Sequence, residues 1–144
     1  MNRELIYSSL FNLISTIPQV TGFKTISRKL KHYSDLSSSE MPAIFQQSKD
    51  EEIIIPRKGV PYIWHMHVLL VIYISTNSDQ DQSSTMILNP ILDQLESLFP
   101  SDNQPQTLGG IVSYCRIHDK IEIFEDLVDK VEMCTVSIEI ESPS

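Results

Sequence analysis

The stretch Val60–Thr76, VPYIWHMHVLLVIYIST, limits the possible folds more than any other part of this chain. Tyr62, Trp64, Met66, Val68, Leu70, Ile72 and Ile74 alternate along it, and all are apolar or aromatic. The interleaved set, Ile63, His65, His67, Leu69, Val71 and Tyr73, begins half polar and ends apolar. Period-two alternation rich in β-branched and aromatic residues predicts one long strand, buried on one side and half buried on the other. A membrane span needs about 20 apolar residues. Here two histidines interrupt a shorter run bounded by Pro61 and Ser75–Asn77. The stretch therefore reads as the central strand of a sheet.

The flanking segments supply the rest of a sheet and its cover. Asn2 can cap a helix whose Leu5, Ile6, Leu10, Leu13, Ile14 and Ile17 share one broad face, until Pro18 stops it and Gly22 turns the chain. A strand is expected over Phe23–Leu30, then turns over Tyr33–Glu40, a short strand over Pro42–Gln47 and a charged loop or hairpin tip over Ser48–Gly59. Inside that tip, Ile53, Ile54 and Ile55 are fenced by Asp50, Glu51 and Glu52 on one side and Arg57 and Lys58 on the other. The triplet either continues the sheet or forms an apolar patch that needs a partner.

Beyond the central strand, Asn77–Ser84 is a polar loop. A second helix ends near Phe99, with Ile91, Leu92, Leu95, Leu98 and Phe99 as its stripe. It starts either at Ser84 or at Asn89, which would put Pro90 at the first helical position. Pro100–Gln106 is a loop, and Gly109-Gly110 marks a tight turn. Two strands close the chain. Ile111–Phe124 alternates with breaks around Asp119; Val131–Glu141 directs Cys134, Val136, Ile138 and Ile140 inward and Thr135, Ser137, Glu139 and Glu141 outward. The order α-β-β-β-α-β-β predicts a single domain over residues 1–144 of the α+β class, a two-layer α/β sandwich with two helices packed on a mixed or antiparallel sheet.

Charge narrows the function classes. A net charge of -8 argues against a protein built to grip nucleic-acid backbone, and suits a surface that nucleic acid slides past. The one positive cluster, Lys24, Arg28, Lys29 and Lys31 with His32 beside them, is either a solvated strand edge that discourages aggregation or a contact for an acidic partner. Cys115 and Cys134 are far apart and lie in apolar runs, so buried free thiols are expected. MNRELIYSSLF has no basic head followed by an apolar core, so no signal peptide is expected and synthesis is placed in the cytoplasm.

Motifs for chemistry are sparse. His65 and His67 leave the same face of a strand, a spacing that some metal sites use, but nothing in the sequence brings His118, Cys115 or a carboxylate to them. No nucleotide-binding, nucleophile-elbow or zinc-protease motif occurs. Cys115 and His118, three apart on a strand, point to opposite faces, against direct activation of the thiol. Asp119, Glu122, Glu125, Asp126, Asp129 and Glu132, with Lys120 and Lys130 among them, read as a solvated acidic hairpin. The expectation is no catalytic residue, no cofactor and no metal.

Several stretches, in order, carry a resemblance: NRELIYSSLFNLIS; Gly22 to His32 (GFKTISRKLKH) with Asp35; Pro42-Ala43-Ile44-Phe45; Leu88-Asn89-Pro90-Ile91-Leu92-Asp93; and Gln106-Thr107-Leu108-Gly109-Gly110 with Cys115 and Ile117. In these the chain resembles phage minor tail proteins of the tail-terminator type, over nearly its whole length except the Ser48–Gly59 tip and the last residues. Tyr33 stands where a tryptophan is common in that pattern.

The resemblance implies an α/β sandwich that assembles, usually as a hexameric ring, on the head-proximal end of the tail tube. Such a ring stops tube polymerisation and offers the surface on which the head docks. Its partners would be copies of itself, with a monomer possible in isolation, the tail tube protein and a head-completion or neck protein. DNA would pass through the lumen unbound. The implied location is the virion tail, reached by assembly in the host cytoplasm, with no membrane involved. A head-side connector or adaptor is the alternative. The interaction residues expected are Lys24, Arg28, Lys29, Lys31 and His32, and Ile53, Ile54 and Ile55 as the apolar half of a subunit contact.

Overall fold

The structure, a computed structural model, describes residues 1–75, 84–100, 103–127 and 130–144, with the side chains of residues 84–86 and 126–127 left aside. Helix α1 (Arg3–Ser15) begins where the Asn2 side chain accepts a hydrogen bond from the Leu5 amide at 3.1 Å. Ile6, Tyr7, Leu10 and Ile14 form its buried face. Leu5, expected on that face, is exposed instead. One residue is about 100° of helix rotation, which carries Leu5 out of the stripe that Ile6 begins. Pro18 does not simply stop the chain but opens a one-turn helix, α2 (Pro18–Thr21), where its missing N–H costs nothing. The fold thus has a third helix beyond the two expected.

Strand β1 (Thr25–Ser27) is much shorter than the expected Phe23–Leu30. After it the Ser27 hydroxyl accepts a hydrogen bond from the Lys29 amide, which turns the backbone out of the ladder. Two 3-10 turns follow, Tyr33–Asp35 and Ser38–Glu40, the second closed by reciprocal hydrogen bonds between Ser37 and Glu40.

Strand β2 (Ala43–Ile54) corrects the reading of Ser48–Gly59 as a loop: the ladder continues to Ile54, and the hairpin turn is confined to residues 55–62. The charges that suggested a loop have partners. Asp50 lies opposite His67 and Glu52 opposite His65. Glu51 takes Arg3 at 2.7 Å and the Tyr7 hydroxyl at 2.9 Å. A register shift between Ser48 and Asp50 sets this alignment.

Strand β3 (Ile63–Ser75) is the expected central strand, third of five in the order β1-β2-β3-β5-β4. Helix α3 (Ser84–Leu98) keeps Pro90 in its interior, so the Ser84 start prevails over the Asn89 start. Its core contacts are Leu88, Ile91, Leu95 and the following Phe99, and packing of this face outweighs the hydrogen bond that Pro90 forfeits. Between α3 and the sheet, Leu108, Gly109 and Gly110 all hold positive φ, at 52°, 79° and 92°. Two of these three are glycine, as left-handed backbone demands. Strands β4 (Tyr114–Leu127) and β5 (Val131–Pro143) complete the sheet, and β4 slips register between Ile117 and Ile121, beside Asp119 at φ 65°. Among the described residues only the β1–β2 pair is parallel.

The protein is α+β, with all three helices on one face of a mixed sheet. That face encloses the main core, where Met66, Val68, Leu70, Ile72 and Ile74 of β3 meet Val136, Ile138 and Ile140 of β5 beneath the helices. The other face bears no α-helix among the described residues. At one end it forms a smaller core, in which Leu36 and Met41 from the 3-10 segment cover Phe45, Val71, Tyr73 and Val131. The expected loop at Asn77–Ser84 lies mostly outside the described residues.

Candidate functional site

The other end of the helix-free face collects most of the titratable side chains that meet across strands. Because residues directly opposite in a ladder project to the same side, the pairs Asp50–His67–Glu139 and Glu52–His65–Glu141 run across β2, β3 and β5 as two adjacent rows. Strand β4 adds Tyr114 opposite Glu141 and Arg116 opposite Glu139. His118 follows on the same strand and reaches the first row.

Glu139 is the hub. It was expected to face solvent, yet it is only 4% exposed. Alternation along β5 correctly puts it on the helix-free side. What buries it there is cross-strand crowding that the local sequence does not reveal. Its Oε1 accepts hydrogen bonds from the Tyr114 hydroxyl at 2.7 Å and Arg116 at 3.2 Å. Its Oε2 lies 3.1 Å from His118 Nδ1 and 3.8 Å from His67 Nε2. Burial alone would raise the Glu139 carboxyl, but the Tyr114 hydroxyl and the Arg116, His118 and His65 charges together hold it below the usual carboxylate range. The same contact, added to burial, pushes the Tyr114 phenol up.

His67 is gripped from its other side, where Nδ1 lies 2.5 Å from Asp50 Oδ1. Its ring stacks on His118 with centroids 5.7 Å apart. His65 pairs with Glu141 at 3.0 Å. Sequence spacing put the two histidines on one face, as found. It missed that His118 and Glu139 join them, because the register slip at Asp119 and the β3–β5–β4 order are non-local facts.

Cys115 does not join the cluster. It lies in the main core, on the helix-covered side, with Cys134. Both thiols are free and buried, as expected. Burial raises both, Cys134 to about 11 and Cys115 further.

The expected interaction residues fall in two other places. Lys24, Arg28, Lys29, Lys31 and His32 are exposed along the β1 edge of the sheet. Arg28 pairs with Glu4 at 2.6 Å, and His32 hydrogen-bonds the Ser34 hydroxyl at the surface. Of the isoleucine triplet, Ile53 and Ile54 continue the sheet, opposite Trp64 and Ile63, and Ile55 starts the turn. Ile53 is 41% exposed, Ile55 58% and the nearby Tyr62 47%, whereas Ile54 is half buried. The opposite edge, β4, exposes Ile121, Ile123 and Phe124 beside Asp119, Glu122 and Glu125. Lys120 there pairs with Glu122. Glu132, read with that acidic hairpin, is instead buried; Asp126 and Asp129 lie outside what is described.

Clefts elsewhere offer little chemistry. The groove between α1 and the glycine turn, about 350 Å³, is lined by Ser9, Asn12, Thr16 and Gln106 among apolar groups. Two others flank the 3-10 segment, and the described residues that line them include no histidine, cysteine, lysine or carboxylate. No described helix is long and apolar enough to cross a membrane. No protein-family model matches the chain, and no curated protein matches it.

Proposed function

We propose that this chain is a subunit of a phage tail-terminator ring, which caps the head-proximal end of the tail tube, stops its growth and receives the head. The observation that carries the reading is the charge asymmetry of the sheet. Its β1 edge is basic, through Lys24, Arg28, Lys29 and Lys31, and its β4 edge is acidic, through Asp119, Glu122 and Glu125.

A ring needs a heterologous contact, in which one patch meets a different patch on the next copy. Two lateral edges of opposite sign meet that need, and like-charged edges would repel. Leu30 on the basic edge and Ile121, Ile123 and Phe124 on the acidic edge add apolar area. Each is 36–41% exposed, so burying what remains contributes about 1 kcal/mol apiece. The hairpin end, with Ile53, Ile55 and Tyr62, lies along the strand axis rather than at an edge. It therefore suits an axial partner, the tube, better than the lateral contact that the sequence of the triplet suggests. The resemblance in sequence supplies the identity of that partner, and the acidic balance suits a lumen that DNA traverses.

Electron microscopy of lysates lacking the chain tests the assignment. Tails of uncontrolled, excessive length support it. Tails of normal length beside unjoined heads point instead to a head-side adaptor.

A further inference from the structure

We propose that His67 Nε2, His118 Nδ1 and Glu139 Oε2 form a binding site for a divalent transition metal of the zinc class, with water completing the shell. One ligand atom from each of the three residues lies within 4.8 Å of the other two, on three adjacent strands. Zinc bonds of about 2.0–2.1 Å in a tetrahedral shell set ligands roughly 3.3 Å apart. The His118–Glu139 separation of 3.1 Å and the His67–Glu139 separation of 3.8 Å already approach that value. His118 is half exposed on an edge strand, next to the register slip, and has room to close the third.

The surroundings are those that a metal-ligating histidine needs. The Asp50 carboxylate can only accept, so His67 Nδ1 carries a proton, and in the neutral ring Nε2 presents its lone pair towards Glu139 Oε2. In that form two acceptors face each other, and a bound cation bridges them where a second proton on the ring otherwise would. Glu139 is likewise held from behind, its Oε1 occupied by Tyr114 and Arg116, which leaves Oε2 aimed at the histidines. Neutral His118 would keep its one proton on Nε2 and ligate through Nδ1. Asp50, Glu52, Glu139 and Glu141 share this face with Arg116, so with neutral imidazoles the local field attracts a cation. Two histidines and one carboxylate leave an open position towards solvent, on the exposed side of His118.

This inference is independent of the ring. Its test is calorimetric titration of the full chain, stripped with EDTA and dialysed, with ZnCl2, and with Co2+ read by ligand-field absorption. Circular dichroism checks the fold of each variant. One ion per chain is expected for the wild type, with binding lost in His118→Ala. Asp50→Asn should weaken binding about 10- to 100-fold, as loss of an outer-shell carboxylate does. His65→Ala, one row away, should leave it unchanged. No uptake by the wild type overturns the proposal. So does uptake that survives in His118→Ala, or that His65→Ala abolishes equally.

Discussion

The two faces of the sheet are built on the same strands and do opposite things. On the helix-covered face, β3 and β5 present unbroken apolar rows that bury completely beneath α1, α2 and α3. On the other face the same strands carry His65, His67, Glu139 and Glu141 at one end and become apolar at the other, where the 3-10 segment covers Phe45, Val71 and Tyr73. A strand alternates by geometry, so each face is written separately in the sequence. The lesson is that one face carries most of the folding free energy and leaves the other free to hold charge at specific cross-strand positions.

That division can be broken by mutation. The largest effects should come from the buried ends of both faces. Phe45→Ala, in the smaller core, should cost about 3–5 kcal/mol, and Leu70→Ala, under the helices, about 2–5 kcal/mol, both by urea denaturation. A Phe45→Ala cost below about 1 kcal/mol would mean that the smaller core is not a core in the energetic sense.

Thiol chemistry reads the covered face directly. With Cys134 raised to about 11, roughly one thiol in a thousand is ionised at pH 8, and Cys115 is less ionised still. Alkylation should therefore be slower by at least about 100-fold in the native protein than in urea. The folded values lie above the ordinary 9.0, so this contribution to stability is complete below pH 9 and is lost as pH rises from there through 11. Rapid native alkylation at pH 8 would show that the helices open readily.

Smaller effects belong to the periphery. Asn2→Ala removes the cap of α1 and should cost about 1 kcal/mol. His65→Ala, a half-buried pair on the helix-free face, should change stability by about 1 kcal/mol or less. A loss several times larger would make the polar end of that face a structural element rather than a surface held ready for partners.

Legibility in the sequence followed the same division. The central strand, its two faces, the α1 cap and the inward row of β5 could be read because each depends on residues close in the chain. Three features could not. Asp50, Glu51 and Glu52 look like a loop until His67, Arg3 and His65 arrive from elsewhere to pair them. Phe23–Leu30 looks like a long strand, but one hydrogen bond, accepted by the Ser27 hydroxyl from the Lys29 amide, ends it. Glu139 looks solvated because Tyr114, Arg116 and His118 reach it only through the β5–β4 pairing. The last is the most instructive, since the same ladder that hides Glu139 also builds the candidate metal site.

The head-to-tail contact between the basic and acidic edges is best tested by charge reversal and its compensation. Lys29→Glu with Lys31→Glu should abolish tail capping, seen as overlong tails in electron micrographs, while circular dichroism and urea stability stay those of the wild type. Adding Glu122→Lys and Glu125→Lys to the same chain restores opposite signs across each junction, and should restore tails of normal length. Capping that survives the first pair of reversals, or that the second pair does not rescue, would contradict the edge-to-edge ring.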